Sequence, residues 1–376
     1  MKKSLIALAT LAAVSGTAFA QSSVTLSGNI KGGLASTNYS GGAPGALTGS
    51  NTALADGSSR FIFSGTEDLG GGLKANFQID TRYRLDDNGG APTSSPLAGG
   101  NTFVGLSGGF GNVQMGKLDT HYCLGSDTHG ARATPLQASS CALLGFVNGN
   151  TGAFSIANTT RSTNTIRYTS PALSGFTVQA NYSTSFNGPD GPVGSASGGN
   201  AMHIQAIYNQ GPLRGGLSFW QAKGEVQTST TARTGQRATT AMVDYNFGVA
   251  TAGLTYDRSA LRNALANADF VDSTRTVWSI PVTVKLGPGT ALLTYTRAGN
   301  VKTGGTTADN TGANLVSVGY DYALSRRTSV GVSYARLSNN SAGNYVLYTQ
   351  AALNGTPVNL VGQTASQLYL GVRHAF

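Results

Sequence analysis

The 376-residue sequence predicts an all-β fold, a 16-stranded antiparallel β-barrel that crosses a membrane, on three observations. Its N-terminus has the form of an export signal, sixteen segments alternate apolar and polar residues without a helical stripe, and the connections between them are short and long in turn. An even number of strands of about ten residues, with short turns at one rim and long loops at the other, is the pattern of an outer-membrane barrel. Closure is forced in that setting, because hydrocarbon offers no partner to the N–H and C=O groups of a free sheet edge.

Lys2 and Lys3 precede the apolar run LIALATLAAV, and Ala18-Phe19-Ala20 supplies an A-x-A cleavage pattern. Residues 1–20 therefore read as a signal peptide and 21–376 as the barrel domain. The apolar run is too short to span a bilayer, and no later stretch approaches the roughly 18 apolar residues a membrane helix needs. Loss of Lys2 and Lys3 takes the formal charge from +9 to +7. Charged residues make up 11% of the chain, well under the roughly 25% of a soluble globular protein. Dispersed arginines without a basic helix, in an exported chain, give no support to nucleic-acid binding. Cys123 and Cys141, an even number in an oxidising compartment, point to one disulfide, with two free thiols as the alternative.

The strands run in order through SVTLSGNIK, RFIFSG, LKANFQIDTRYRL, TFVGLSG, GNVQMGK, NTIRYTS, GFTVQANYS and AMHIQAIYNQ. LRGGLSFW, ATTAMVDYNF, VATAGLTYDR, RTVWSIPVTVKL, GTALLTYTR, ANLVSVGYDYAL, TSVGVSYARLS and SQLYLGVRHAF complete the set. Tight joints such as DLGGG, GGF, Gly248 and SRR separate long loops over roughly 35–58, 86–100, 118–160, 185–199, 223–235, 260–274, 300–312 and 339–365, which are rich in Gly, Ser, Thr, Asn and Ala.

In FQIDTRYRL, Phe77, Ile79, Tyr83 and Leu85 share one face and Gln78, Asp80, Arg82 and Arg84 the other. In a membrane barrel the apolar face turns outward. Val24/Leu26/Ile30, Phe176/Val178/Tyr182, Ala241/Val243/Tyr245/Phe247, Trp278/Ile280/Val282/Val284 and Val316/Val318/Tyr320/Tyr322 then face lipid, several sets ending in an aromatic as an interfacial girdle requires. The alternate sets, such as Thr25/Ser27/Asn29/Lys31, Thr177/Gln179/Asn181 and Ser317/Gly319/Asp321, are small and polar and suit a wet lumen. Leu368, Leu370, Val372, His374 and Phe376 alternate to the C-terminal aromatic, the form of a barrel-assembly signal.

SVTLSGNIKGGL, SSRFIFSGTEDLGGGLKANFQID, FVGLSGGFGNVQMGK, RSTNTIRYTSPALSGFTVQANYS, GYDYALSRRTSVGVSYARLSNN and the closing YLGVRHAF carry a full-length resemblance to the trimeric general porins of β-proteobacteria, the neisserial and Burkholderia type. The resemblance implies a homotrimer in outer-membrane lipid and lipopolysaccharide, inserted by the barrel-assembly machinery that reads Phe376. It also implies a third loop, here 118–160, folded into the pore to narrow it. Arg60 matches the arginine of the S-R-F motif and Arg161 the one opening R-x-x-N-x-[IV]-R-Y, both lumen-side positions in such porins. Ser64 and Gly116-Lys117-Leu118 stand where the family often has Lys and G-R-Q, so the positive wall is not reproduced position by position. The third loop holds only Asp119 and Asp127 as acids, which argues against strong cation selectivity.

Alternation turns Lys74, Asp80, Arg82 and Arg84 inward on the third strand, Arg60 on the second, and Arg161, Thr165 and Arg167 on the sixth. The function expected is a water-filled channel for passive diffusion of small hydrophilic solutes, neutral or anionic. Its pore-lining set is Arg60, Arg82, Arg161, Arg167, Asp80, Asp119 and Asp127, with a preference for anions because guanidinium stays charged at any physiological pH. In the alternative, the arginines pair with Asp80, Asp119 or Asp127 and hold the loop to the wall. A substrate-specific channel for small organic anions is the nearest other function. An outer-membrane enzyme is not expected: His121, His129, His203 and His374 are the four histidines, and no G-x-S-x-G, phosphate-binding loop or dinucleotide fingerprint accompanies them. Asp119-Thr120-His121 and Asp127-Thr128-His129 lack zinc-ligand spacing, so neither metal nor cofactor is expected. A Cys123–Cys141 disulfide would restrain the constriction loop and stabilise it by about 3 kcal/mol in the chain-entropy model. A thiol titration of unreduced, denatured protein is expected to find no reactive thiol.

Overall fold

The computed structural model describes residues 23–46, 48–56, 59–83, 85, 97–120, 139–144, 161–186, 199–224, 233–264, 271–347 and 361–376. Its wall strands are β1 Ser23–Gly41, β2 Gly49–Asp56 resumed at Arg60–Gly70, β3 Leu73–Arg82, β4 Thr102–Gly108, β5 Gly111–Asp119, β6 Arg161–Thr169, β7 Phe176–Ser183 and β8 Gly199–Gln210. They continue as β9 Leu213–Gly224, β10 Arg233–Asn246, β11 Ala250–Ala264, β12 Val271–Leu286, β13 Gly289–Ala298, β14 Ala313–Ala323, β15 Thr328–Asn339 and β16 Gln363–Ala375. Each pairs antiparallel with its neighbours in sequence, and β1 closes the ring on β16 from Asn29↔Ala375 to Gly41↔Gln363. The sixteen-stranded barrel read from the alternation is the fold observed.

The two parts of β2 form one wall strand, since Gly49–Asp56 pairs with Tyr39–Gly32 of β1 and Arg60–Thr66 with Asn29–Ser23. At the break Ser59 substitutes for the ladder: its Oγ accepts the Lys31 N–H at 3.0 Å and donates to the Lys31 C=O at 3.1 Å. The loop expected over 35–58 is therefore mostly strand, and the turn itself covers only 42–48. Ala35, Thr37 and Tyr39 are buried inward, while Ser36, Asn38 and Ser40 are exposed. Cross-strand bonds from Asn38 to Ser50 (2.6 Å) and Thr52 to Ser36 (3.1 Å) join the outward side. These residues lack the apolar signature because they stand above the lipid band, where an outward side chain meets water or headgroups. β11 and β12 overrun the expected loop 260–274 at Ala264 and Val271 in the same way.

The register also fixes the tilt. From Gly33 the ladder runs through Gly371, Gly331, Asp321 and Thr290 to Lys285 at the short-turn rim. Eight residues higher on β12, Val277 leads through Asp257, Thr240, Ser218, Gln205, Gln179, Thr169, Asn112, Ser107 and Lys74 to Asp68. A second climb of eight reaches Arg60, which pairs with Asn29, four residues below Gly33. Eight, eight and four residues make a stagger of twenty around sixteen strands, so points at equal height drift by about one residue per strand, as in a tilted barrel.

The apolar sets face outward: Val24, Leu26, Phe77, Ile166, Val178, Leu293, Val318, Leu368 and Leu370 are exposed, whereas Asp80 is 2% exposed. Tyr245 and Phe247 (centroids 4.7 Å apart) and Phe176 and Tyr208 (4.7 Å) form part of a girdle at the short-turn rim. Trp278 and Tyr295 meet at 5.1 Å higher on the wall. Phe376 and Gly28 exchange backbone hydrogen bonds of 3.2 Å, and the Phe376 ring lies 5.7 Å from Phe61. A Cβ at position 28 would stand 2.7 Å from Phe376 Cζ, so glycine makes room for the terminal ring.

The lumen departs from the small and polar lining expected. Its lower part is polar, as where Ser279 and Thr296 join hydroxyls at 2.7 Å. Its upper part carries an apolar patch among polar neighbours such as Arg275, Gln236 and Gln363: Trp220, Val277, Leu315, Leu337 and several alanines pack against Ala142, Leu143 and Leu144 of the third loop and Tyr345 and Leu347 of the last. The described piece of the third loop, Ser139–Leu144, contains a single 3-10 turn, Ser140–Ala142, and rests on β13. β13 lies about halfway round the wall from β5 and β6, which the loop joins. The described piece of the loop therefore lies on the far side of the lumen from the strands the loop joins, and the inward residues that receive it are apolar because burial against it excludes water. Leu143 is fully buried; Leu143→Ala is expected to weaken this docking by about 2–5 kcal/mol, read as added noise in single-channel current with wall strands intact by circular dichroism.

Candidate pore-lining site

Asp80 sits low in the lumen wall on β3 and organises two arginines. Arg82 grips it with two contacts, Nε to Oδ1 at 2.8 Å and Nη2 to Oδ2 at 2.9 Å, the bidentate geometry that guanidinium favours. Arg60, opposite Arg82 in the ladder, approaches Oδ2 at 3.8 Å and donates from Nε to Asn29 Oδ1 at 3.1 Å. The gap above β4 is filled by 97–101, where the Gly100 N–H donates to the Asp80 C=O at 2.8 Å. A Cβ on Gly100 would lie 2.1 Å from the Asp80 carboxyl carbon, so only glycine fits against the pair.

A second group adjoins the first. The register of β5 and β6 shifts between Gly116 and Leu118, where Gly116 has φ +152 and Asn164 φ +49. Simple alternation therefore does not carry through to Asp119 and Arg161, as a bulge requires. These two form an ion pair, Nε to Oδ1 at 2.8 Å, and Arg161 Nη1 donates to the Gly99 C=O at 3.2 Å. Asn101 holds Asp119 through its amide at 3.1 Å and accepts the Asp119 N–H at 2.6 Å. Arg167 donates to the Asp119 backbone carbonyl and, at 3.3 Å, to Asn181 Oδ1. Lys117 Nζ lies 3.5 Å from the Ala98 C=O.

Arg60, Arg82, Arg161 and Arg167 thus come together with Asp80 and Asp119, joined by Lys117, Asn101 and Gly99-Gly100. Arg60, Arg82 and Arg161 take up the pairing alternative, while five cations against two carboxylates leave the cluster positive. Halfway round the wall, Asp257 on β11 accepts from Thr240 at 2.7 Å and from Ser259, and Asp244 on β10 faces Arg214 at 3.5 Å. Arg275 on β12 is fully buried on the same side, 5.6 Å from the Tyr345 ring centroid, so charge on that part of the wall is largely compensated while the arginine cluster keeps a surplus. Asp127, Cys123 and Arg84 lie outside the described residues, as does the Cys141 side chain; the Cys141 backbone belongs to the 3-10 turn.

Asn101 and the two glycines escaped the sequence reading because they fall in the expected loop 86–100 and at its edge; the one available signal was a G-G-N run directly before a strand. His203 is fully buried between Asn181 (3.1 Å) and Ser218 (2.9 Å), an arrangement of neutral hydrogen-bonding groups that braces β7, β8 and β9. His374 is exposed and bonds Thr328 at 2.9 Å. Among the described residues no cluster of His, Cys, Asp or Glu fits a metal ion.

A closed wall with an apolar exterior, a polar lower lumen and a loop segment packed inside it defines a channel protein of an outer membrane. The family model described as Gram-negative porin matches residues 7–342, and the chain belongs to that family. It is 32% identical to Outer membrane porin protein 32 of Delftia acidovorans, with all of both chains covered. It is 28% identical to Major outer membrane protein P.IB of Neisseria lactamica, over 94% of this chain and 98% of the relative. Among solved structures it resembles an anion-selective porin from Comamonas acidovorans at TM-score 0.77 and 26% identity, covering 95% of this chain and 100% of that one. The protein is an outer-membrane porin, a passive diffusion channel and not an enzyme.

Asp80→Asn removes one lumen carboxylate and leaves Arg60 and Arg82 uncompensated. It is expected to move the reversal potential in a salt gradient further toward anions, and the loss of a charge-assisted pair costs roughly 1–3 kcal/mol of stability.

Proposed function

We propose that this porin favours small anions over cations, and that the Arg60, Arg82, Arg161 and Arg167 cluster, with Lys117, sets the preference. The observation that carries this reading is five cations against two carboxylates gathered on one side of the lumen wall. A permeating ion there passes within the Debye length of about 8 Å that holds at physiological salt. Guanidinium keeps its charge throughout the physiological range, so the preference needs no proton or energy input. The name of the Comamonas structure, an anion-selective porin, supports the same reading. Asp127 would add a carboxylate to the constriction from the third loop.

The working assembly is a homotrimer in outer-membrane lipid. A porin of the same fold, OmpT of Vibrio cholerae, has been solved in a trimer form. Residues 1–20 would be removed on export, and Phe376 would serve as the assembly signal, its ring resting on Gly28. Small neutral solutes would share the route with anions.

Planar-bilayer recording in a potassium chloride gradient tests the proposal. A single charge a few Å from the ion is worth about 1 kcal/mol under water-like screening, so Arg60→Ala is expected to lower the anion-to-cation permeability ratio several-fold without abolishing the channel. A cation-preferring wild type, or an unchanged ratio in both Arg60→Ala and Arg161→Ala, would overturn it.

A further inference from the structure

His203 holds a place in the wall that the pore-lining set does not explain. A fully buried histidine is costly unless each ring nitrogen has a defined partner. Here both do, and one of the partners reaches a pore arginine.

The contacts run straight across the sheet. Arg167 on β6 stands opposite Asn181 on β7, and Asn181 opposite His203 on β8. Arg167 Nε donates to Asn181 Oδ1 at 3.3 Å, Asn181 Nδ2 lies 3.1 Å from His203 Nδ1, and His203 Nε2 lies 2.9 Å from Ser218 Oγ on β9. Asn181, His203 and Ser218 are all buried. A continuous line of hydrogen bonds thus joins the imidazole to the guanidinium.

The chemistry of the line fixes the direction of each bond. The Arg167 Nε–H can only donate, so it takes the amide oxygen of Asn181 and leaves the amide nitrogen, itself a donor, facing the ring. Nδ1 must then accept, and the single proton of the neutral imidazole sits on Nε2 and is donated to Ser218 Oγ. Neutral His203 therefore keeps the Asn181 oxygen turned toward Arg167. The other hold on Arg167 is the bond from its Nη2 to the Asp119 carbonyl.

A second proton reverses the line. When Nδ1 takes a proton from lumen water, the ring becomes a cation with two donors, and the Asn181 nitrogen has no acceptor to face. The amide turns over, gives its oxygen to the new Nδ1–H and presents NH2 to the Arg167 Nε–H, which loses its partner. The charged groups that face His203 along the wall are Arg167, with the Asp119 carboxylate beyond it, and on the other side Asp257, which accepts from Thr240, the ladder partner of Ser218. Arg275 follows on β12, and the ladder partner of His203 itself is Trp220. The third-loop piece Ser139–Leu144 brings no acidic or basic residue.

We propose that His203 is a positioning residue for Arg167: its neutral form holds the arginine in place through Asn181, and its protonation releases the arginine while adding a positive charge to the wall. The proposal rests on Arg167 belonging to the cluster that sets ion preference.

Two measurements on the full barrel test it. In nanodiscs, with histidine labelled with 15N, the His203 signals, assigned by their loss in His203→Gln, are expected to report the Nε2–H tautomer at neutral pH. In planar bilayers between about pH 8 and 5, the range in which histidine ordinarily changes charge, the wild type is expected to become several-fold more anion-preferring and noisier in the open state as pH falls. The added charge acts on permeating anions and cations in opposite directions, and the released guanidinium adds the noise. Glutamine accepts through Oε1 and donates through Nε2 as the neutral ring does but takes up no proton, so His203→Gln should match the wild type at neutral pH and stay flat on acidification. His203→Leu removes the acceptor and should show the acid-state noise already at neutral pH, a difference from His203→Gln that mere space-filling would not produce. The Nδ1–H tautomer at neutral pH, a flat wild type, an equal pH response in His203→Gln, or a His203→Leu channel as quiet as His203→Gln overturns the proposal. A cation-preferring wild type would instead overturn the selectivity reading, leaving the tautomer and the noise comparison to decide this one.

Discussion

Every backbone N–H and C=O that enters hydrocarbon must be paired within the protein, and the rest of this structure follows from that constraint. It requires the sheet to close, as β1 does on β16. It also requires continuity along each strand, which explains why Ser59 bonds both backbone groups of Lys31 where β2 is interrupted. Closure with a stagger fixes the tilt, and tilt decides which residues on different strands share a level. The arginine cluster owes its position to this arithmetic rather than to nearness in sequence.

Inside the barrel the constraint is relaxed, because water can satisfy polar groups, and the lining varies with what it touches. Low in the lumen it is hydroxyl, amide and carboxyl. Where the third and last loops press on the wall, water is excluded and the inward residues become Leu315, Leu337, Val277 and Trp220. The arginine cluster lies between these regimes. Like charges a few Å apart repel by about 1 kcal/mol even in water-like surroundings, and the cluster offsets this with Asp80, Asp119, backbone carbonyls of 98, 99 and 119, and the amides of Asn29 and Asn181. Those acceptors hold the guanidinium groups in place while leaving a surplus of positive charge.

Most of the wall was legible because alternation is a local property. Phe77 and Asp80, or Val318 and Ser317, declare their faces in any stretch of five residues. Features that depend on height were harder to read. Ser36, Asn38 and Ser50 belong to strands, yet above the lipid band nothing compels an outward apolar residue, and they resemble loop. Leu315 and Leu337 look inverted until the loops that cover them are known. Asp119 and Arg161 come together across a register shift that no period-2 count contains, and Gly99-Gly100 acts through a cross-chain fit visible only in three dimensions.

The excess of basic residues also changes meaning. In the sequence it is one number, without a basic helix or run to localise it. On the wall it divides by the parity of single positions: Arg60, Arg82 and Arg167 turn toward the solute path, whereas Arg258, Arg297 and Arg336 turn outward. Because side chains alternate strictly along a strand, a one-residue slip in register would exchange the two groups, placing guanidinium against lipid and leucine in the lumen. The charge pattern therefore reinforces the register that the apolar faces set.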